Sequence, residues 1–200
     1  MESKDLVTLI KKGDLRGIRH ARNENRDLPS VAGETFRNLE VTGLDLSFLD
    51  LANTEWDTCI LDKSSFRGAD LSGAFFTGCT IMDTDFDRAE FGATAFDGCV
   101  MRDSTFREVK LEDVELTGSE LAGCTFENVE LVESYWESVT VKDGVLCNVT
   151  ATSGKWSGLT FRDVTIENVD LGDIDVQGCV ASGELLPGFT ALTGRRKHIQ

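Results

Sequence analysis

Two hundred residues carrying a net charge of −15, with a sequence pI near 4.5, suit one domain or one elongated solenoid, and an acidic body makes direct binding of nucleic acid unfavourable. No apolar run reaches the ~18 residues of a membrane-spanning helix. The opening Met1-Glu2-Ser3-Lys4-Asp5 lacks the apolar stretch of a secretion signal, so no membrane contact and a cytoplasmic location are expected.

Residues 3–28 read as two short helices. Ser3 is the candidate N-cap of the first, Leu6, Leu9 and Ile10 form its apolar stripe, and Gly13 ends it. Asp14 can cap a second helix carrying Leu15, Ile18 and Ala21, and Pro29 closes the region. The basic run Arg16, Arg19, Arg22 and Arg26 reads as a solvated helix face, with a partner-binding hairpin as the other reading. Residues 1–33 are therefore expected to form a helical N-terminal cap.

From Phe36 a different rule takes over. Every fifth residue is apolar, through Val41, Leu46, Leu51 and Trp56 to Val176, which makes 29 consecutive positions. A period of five fits neither a helix at 3.6 nor a strand at 2.0, so each unit must contain its own turn. Two residues before each centre the chain is small or β-branched, as at Cys59, Ser64, Ala69 and Ala74. Two residues after it stands Gly, Asn or Asp in 20 of the 29 units, and these tolerate the positive φ of a type II turn. Each unit is thus a short extended piece and a corner, with the centre and the small residue pointing inward.

The unit Ala69-Asp70-Leu71-Ser72-Gly73 is the clearest instance of the pattern small–Asp/Asn–Leu/Phe–x–x, and the chain resembles the pentapeptide-repeat proteins over about three quarters of its length. The resemblance implies an all-β solenoid, a right-handed quadrilateral parallel β-helix with four units per coil. Two columns support that count: Cys59, Cys79, Cys99 and Cys179 recur at multiples of 20, and so do Phe66, Phe86, Phe106 and Phe126. Residues 34–186 then make the solenoid and 187–200 a C-terminal cap with a basic tail, where Pro187 breaks the register and Phe189 and Leu192 fold over the last coil. Ala151 is the one small centre and should leave a thin spot.

No catalytic constellation is visible. His20 and His198 lie in opposite flanks, there is no phosphate loop, and no CxxC pair suggests a metal; no enzyme, cofactor or metal is expected. Five cysteines occupy the small inward position and Cys147 lies one past a centre, so buried free thiols are expected rather than disulfides. Charge is what remains. Residues 1–33 carry net +2, 187–200 net +3 and the repeat body −20. At ~4.8 Å per coil the body spans about 36 Å, or roughly one net charge per 1.8 Å, against one per ~1.7 Å of duplex DNA. The side with centres Leu51 to Leu171 is the most one-sided: Asp50, Asp70, Glu90, Glu112, Asp113, Glu130, Glu133, Asp170 and Asp173 against Lys110 alone. The side centred on Phe66 to Phe126 mixes its acids with Arg67, Arg88 and Arg107.

Some pentapeptide-repeat proteins look like B-form DNA and bind bacterial type II topoisomerases. For this chain the resemblance implies a protein partner, DNA gyrase or topoisomerase IV, protection from quinolone-like poisons, the acidic side as the partner-binding surface, and a homodimer through a solenoid end. Two departures stand against it: no loop interrupts the 29 units, and Pro187, Gly188 and Gly194 oppose a long C-terminal dimerisation helix. The other reading is a scaffold or interaction rod, in which Asp at the second position of the unit simply stabilises the turn.

Overall fold

The computed structural model describes residues 1–24, 27–172 and 174–182. The expected C-terminal cap, Arg26 and Asp173 lie outside the described residues.

Helix α1 (Ser3–Lys11) buries Leu6, Val7 and Ile10, and α2 (Leu15–Glu24) buries Ile18 and Ala21. The first N-cap is Glu2 rather than Ser3: the Asp5 carboxylate accepts from the Glu2 backbone N–H at 3.0 Å, which draws the helix start one residue back. Gly13, at φ 61°, ends α1, and the Asp14 carboxylate accepts from the Gly17 N–H at 2.9 Å to open α2.

The rest is a four-sided parallel solenoid. The first side is an eight-stranded sheet beginning with β1 (Thr35–Arg37), and the second an eight-stranded sheet beginning with β2 (Glu40–Thr42). Within each, strands pair with their neighbours 20 residues away, as Phe36 with Trp56 and Val41 with Leu61. The third and fourth sides are isolated bridges in the early coils, for example Asp45 with Ser65 and Asp50 with Asp70. Later they join: Thr105–Glu112, Thr125–Val132, Val145–Ala151 and Thr165–Asp170 each run through the corner as one bent strand.

Every centre from Phe36 to Leu171 is buried, and Val176 is half-buried. Like stacks on like inside. Phe66, Phe86, Phe106 and Phe126 are parallel at 5.1, 4.9 and 4.8 Å between centroids, while Phe66 meets Phe76 on the adjacent side edge-on at 6.2 Å. The helices join the same core through Leu6, Val7, Ile10 and Ile18.

The corners hold a surprise. Of the nine units lacking Gly, Asn or Asp there, eight still turn with positive φ: Phe48, Thr58, Lys63, Arg88, Ala93, Glu108, Glu133 and Ser138. The coil-to-coil hydrogen bonds impose the conformation whatever the side chain: Thr58 N–H reaches Thr77 O at 2.8 Å, as Gly78 N–H reaches Asp97 O at 2.8 Å. At Ser153 the positive φ passes to Gly154, at φ 129°. That slip lies beside Ala151, where the backbone packs closely; a Cβ on Gly172 would come 2.3 Å from Ala151 O. Ala151 itself is buried.

Candidate protein interface on the acidic side

Second-position residues of the fourth side form one column. Bridges and ladders place Asp50 beside Asp70, Asp70 beside Glu90, Lys110 beside Glu130, Glu130 beside Thr150, and Thr150 beside Asp170. The acids named from sequence therefore fall into groups. Asp50, Asp70 and Glu90 stack in three successive coils. Glu130 pairs with Lys110 across the ladder and the Lys110 ammonium donates to Glu112 at 2.7 Å, while Asp113 and Glu133 stand at the following corners of the same side. Asp170 stands apart beyond the neutral Thr150. Asp70 is half-buried and the other described members are exposed.

The aspartates of this column are also tied into the backbone. Asp50 accepts from Ala52 N–H at 3.2 Å, Asp70 from Ser72 N–H at 2.9 Å, and Asp170 from Gly172 N–H at 3.0 Å. Each closes its own turn through one carboxylate oxygen. Glu90 and Glu130, one methylene longer, hold the same position without that bond, and both side chains are exposed. Lys110 is held above its ordinary pKa by the Glu112 bond.

On the third side the charges answer one another. Asp87 is 7% exposed, and its carboxylate lies 3.7 Å from the Arg67 guanidinium and 3.6 Å from that of Arg107, while also accepting the Arg107 backbone N–H at 3.1 Å. Arg107 reaches on to Glu127 at 3.2 Å, and Arg88 bonds Glu108 at 2.6 Å, which holds that carboxyl below the usual carboxylate range. Asp87, the centre of this network, is not among the residues that the sequence singled out, although Arg67 and Arg107 stand one coil either side of it. At the next corner Asn168 donates to Asn148 at 3.0 Å and Asn148 to Asn128 at 2.9 Å, a neutral ladder bordering the acidic side.

Among the described residues no group of three or more His, Cys, Asp or Glu is placed to hold a metal ion. All six cysteines are free; five are buried and Cys147 is half-buried. Burial pushes the Cys124 thiol up to about 11. No helix among the described residues is long and apolar enough to cross a membrane. Arg22, expected to be solvated, is instead structural: its guanidinium donates to Ser47 O at 2.7 Å and Asp45 O at 3.1 Å, sealing carbonyls that the first coil leaves unpaired.

A family model described as pentapeptide repeat region matches residues 49–126. No curated protein matches the chain in sequence. Among solved structures the chain is similar to a trypsin-treated variant of QnrB1, a plasmid-mediated fluoroquinolone resistance protein, at 18% identity over 81% of this chain and 97% of that one, with a TM-score of 0.44. It is similar to the pentapeptide repeat protein Rfr23 from the cyanobacterium Cyanothece 51142, at 11% identity over 84% of this chain and 97% of that one, TM-score 0.45. A pentapeptide repeat protein from the Arabidopsis thaliana thylakoid lumen matches at 19% identity over 46% of this chain and 65% of that one, TM-score 0.45. The five-residue register extends beyond the matched stretch in both directions, to Phe36 and to Val176, so that a pentapeptide repeat region at residues 49–126 sits within a longer four-sided parallel β-helix.

Proposed function

We propose that the chain is a non-enzymatic protein ligand of a type II topoisomerase, DNA gyrase or topoisomerase IV, and that it occupies the enzyme's basic DNA groove in place of duplex DNA and so relieves quinolone-like poisoning. The observation that carries this reading is the unbalanced fourth side. Asp50, Asp70 and Glu90 stack coil on coil, and Lys110 is the one cation among that side's charged residues. Stacked like charges at ~4.8 Å cost stability, so a column of them is explained by what it meets. Electrostatic complementarity of this kind steers a partner and fixes its register.

A scaffold reading is favoured by a specific observation: Asp50, Asp70 and Asp170 each cap a turn, which gives those aspartates a structural use. Glu90, Glu112, Glu130 and Glu133 have no such bond, and they separate the two readings. The test is gyrase supercoiling with and without a quinolone. Protection or inhibition at micromolar protein is expected; neither effect leaves the scaffold reading.

A further inference from the structure

Each coil treats its lower neighbour the same way. The N–H of the residue before a centre donates down, as Glu55 to Glu34 O at 2.9 Å and Ser65 to Leu44 O at 2.8 Å. The carbonyl of the residue after a centre receives an N–H from below, as Asp57 O from Asn38 at 2.9 Å. The first coil has no coil beneath it, so Thr35 N–H and Arg37 C=O of β1 point off the end of the solenoid. On the third side Arg22 takes the equivalent carbonyl, Ser47 O. On the second side the turn between the helices packs on buried Val41: the Cβ position of Gly13 lies 3.1 Å from it. Along β1 nothing comparable is present among the described residues. Instead there is a groove of about 470 Å³ between the end of α1 and the β1 edge.

Cations outnumber acids along the lining of that groove. Lys11, Lys12 and Arg37 line it against the single acid Glu40. Lys11 lies 3.3 Å from Glu34, with its ammonium 5.7 Å from the centre of the Phe36 ring, and Arg37 lies 3.6 Å from Glu55 and Asp57; Lys12 has no ion pair among the described residues. We propose that this open edge is a docking site for an extended acidic peptide segment of a partner protein, which adds a strand below β1. Its backbone supplies the missing carbonyl to Thr35 N–H and the missing N–H to Arg37 C=O, and its carboxylates meet Lys11 and Lys12. The occupant is acidic because Lys12 stands without an ion pair beside Lys11, whose exposed pair with Glu34 is open to a competing carboxylate, and extended because the unpaired groups are those of a strand edge. A second solenoid is a poor occupant: the turn between the helices lies on the second side and Arg22 of α2 on the third, and together they keep a flat end from seating. This site is separate from the acidic side and does not depend on the topoisomerase reading.

A fluorescein-labelled peptide of alternating Glu and Val is the probe, read by anisotropy against the full chain. Saturable, salt-sensitive binding is expected, absent for a Lys and Val peptide and for the acidic peptide N-methylated on alternate residues. Lys12→Glu and Lys11→Glu should each weaken it about tenfold, whereas Arg162→Glu, the same charge change on the second side far from this end, should not. Both lysines are exposed, and thermal melts confirm the fold of each variant; Lys→Gln replaces any that fails. Absence of binding up to about 1 mM overturns the proposal, as does equal binding of the N-methylated peptide or equal weakening by Arg162→Glu. A homodimer that Lys12→Glu dissociates in sedimentation also overturns it, because the edge then belongs to a second copy.

Discussion

Ala93 and Gly78 occupy equivalent corners, at φ 56° and 58°. Open space surrounds the position a Cβ would take on Gly78, so only backbone conformation distinguishes Gly78→Ala from a neutral change. It should cost about 1 kcal/mol, and Ala93→Gly should stabilise by up to a similar amount, offset in part by the freer unfolded chain. Urea melts measure both; equal and opposite signs to these would mean that the corners are not strained. Inside the coil, Phe106 is stacked between Phe86 and Phe126 at 4.9 and 4.8 Å. Phe106→Ala should cost about 3–5 kcal/mol through the cavity it leaves. Phe75 and Tyr135, exposed one residue before their centres, should tolerate Ser with changes below about 0.5 kcal/mol in the same melts. The thiols follow the same division. Cys147 should alkylate first, and Cys59, Cys79, Cys99, Cys124 and Cys179 should react only on unfolding, as mass spectrometry of iodoacetamide-treated protein will show.

At the scale of elements, the helical cap depends on one side chain reaching across to the solenoid. Arg22→Ala leaves Ser47 O and Asp45 O without their donor, and should cost about 1–3 kcal/mol. Hydrogen exchange should show α2 and the first coil losing protection together, with the middle coils unchanged; uniform loss would mean that the cap and body are one cooperative unit. Arg22 was not distinguishable in sequence from Arg16 and Arg19, because its role is set by where the first coil's open carbonyls fall in space. The coil itself was legible, since a period of five with large apolar centres admits few other folds. The slipped corner at Ser153 and Gly154 was not: both residues are small and polar or permissive, and the backbone contact with Ser134 decides between them. Asp87 was legible in principle, because Arg67 and Arg107 flank it at the 20-residue spacing already read from the cysteines.

Across the whole molecule the same spacing sorts charge into two kinds of side. On the third, Arg67, Asp87, Arg107 and Glu127 alternate and neutralise one another, so Arg107→Glu would place an acid beside a nearly buried carboxylate and damage the fold. On the fourth, the acids of Asp50, Asp70 and Glu90 repeat. The direct test is the affinity of DNA gyrase holoenzyme for the wild-type chain, for Asp70→Lys with Glu90→Lys, and for Glu137→Lys on the first side, across a salt series. The fourth-side pair is expected to weaken binding about tenfold or more and to flatten its salt dependence, with little change in melting temperature, while Glu137→Lys should bind nearly as the wild type does. Equal losses for the two sides, or no binding by the wild-type chain, would contradict the topoisomerase reading.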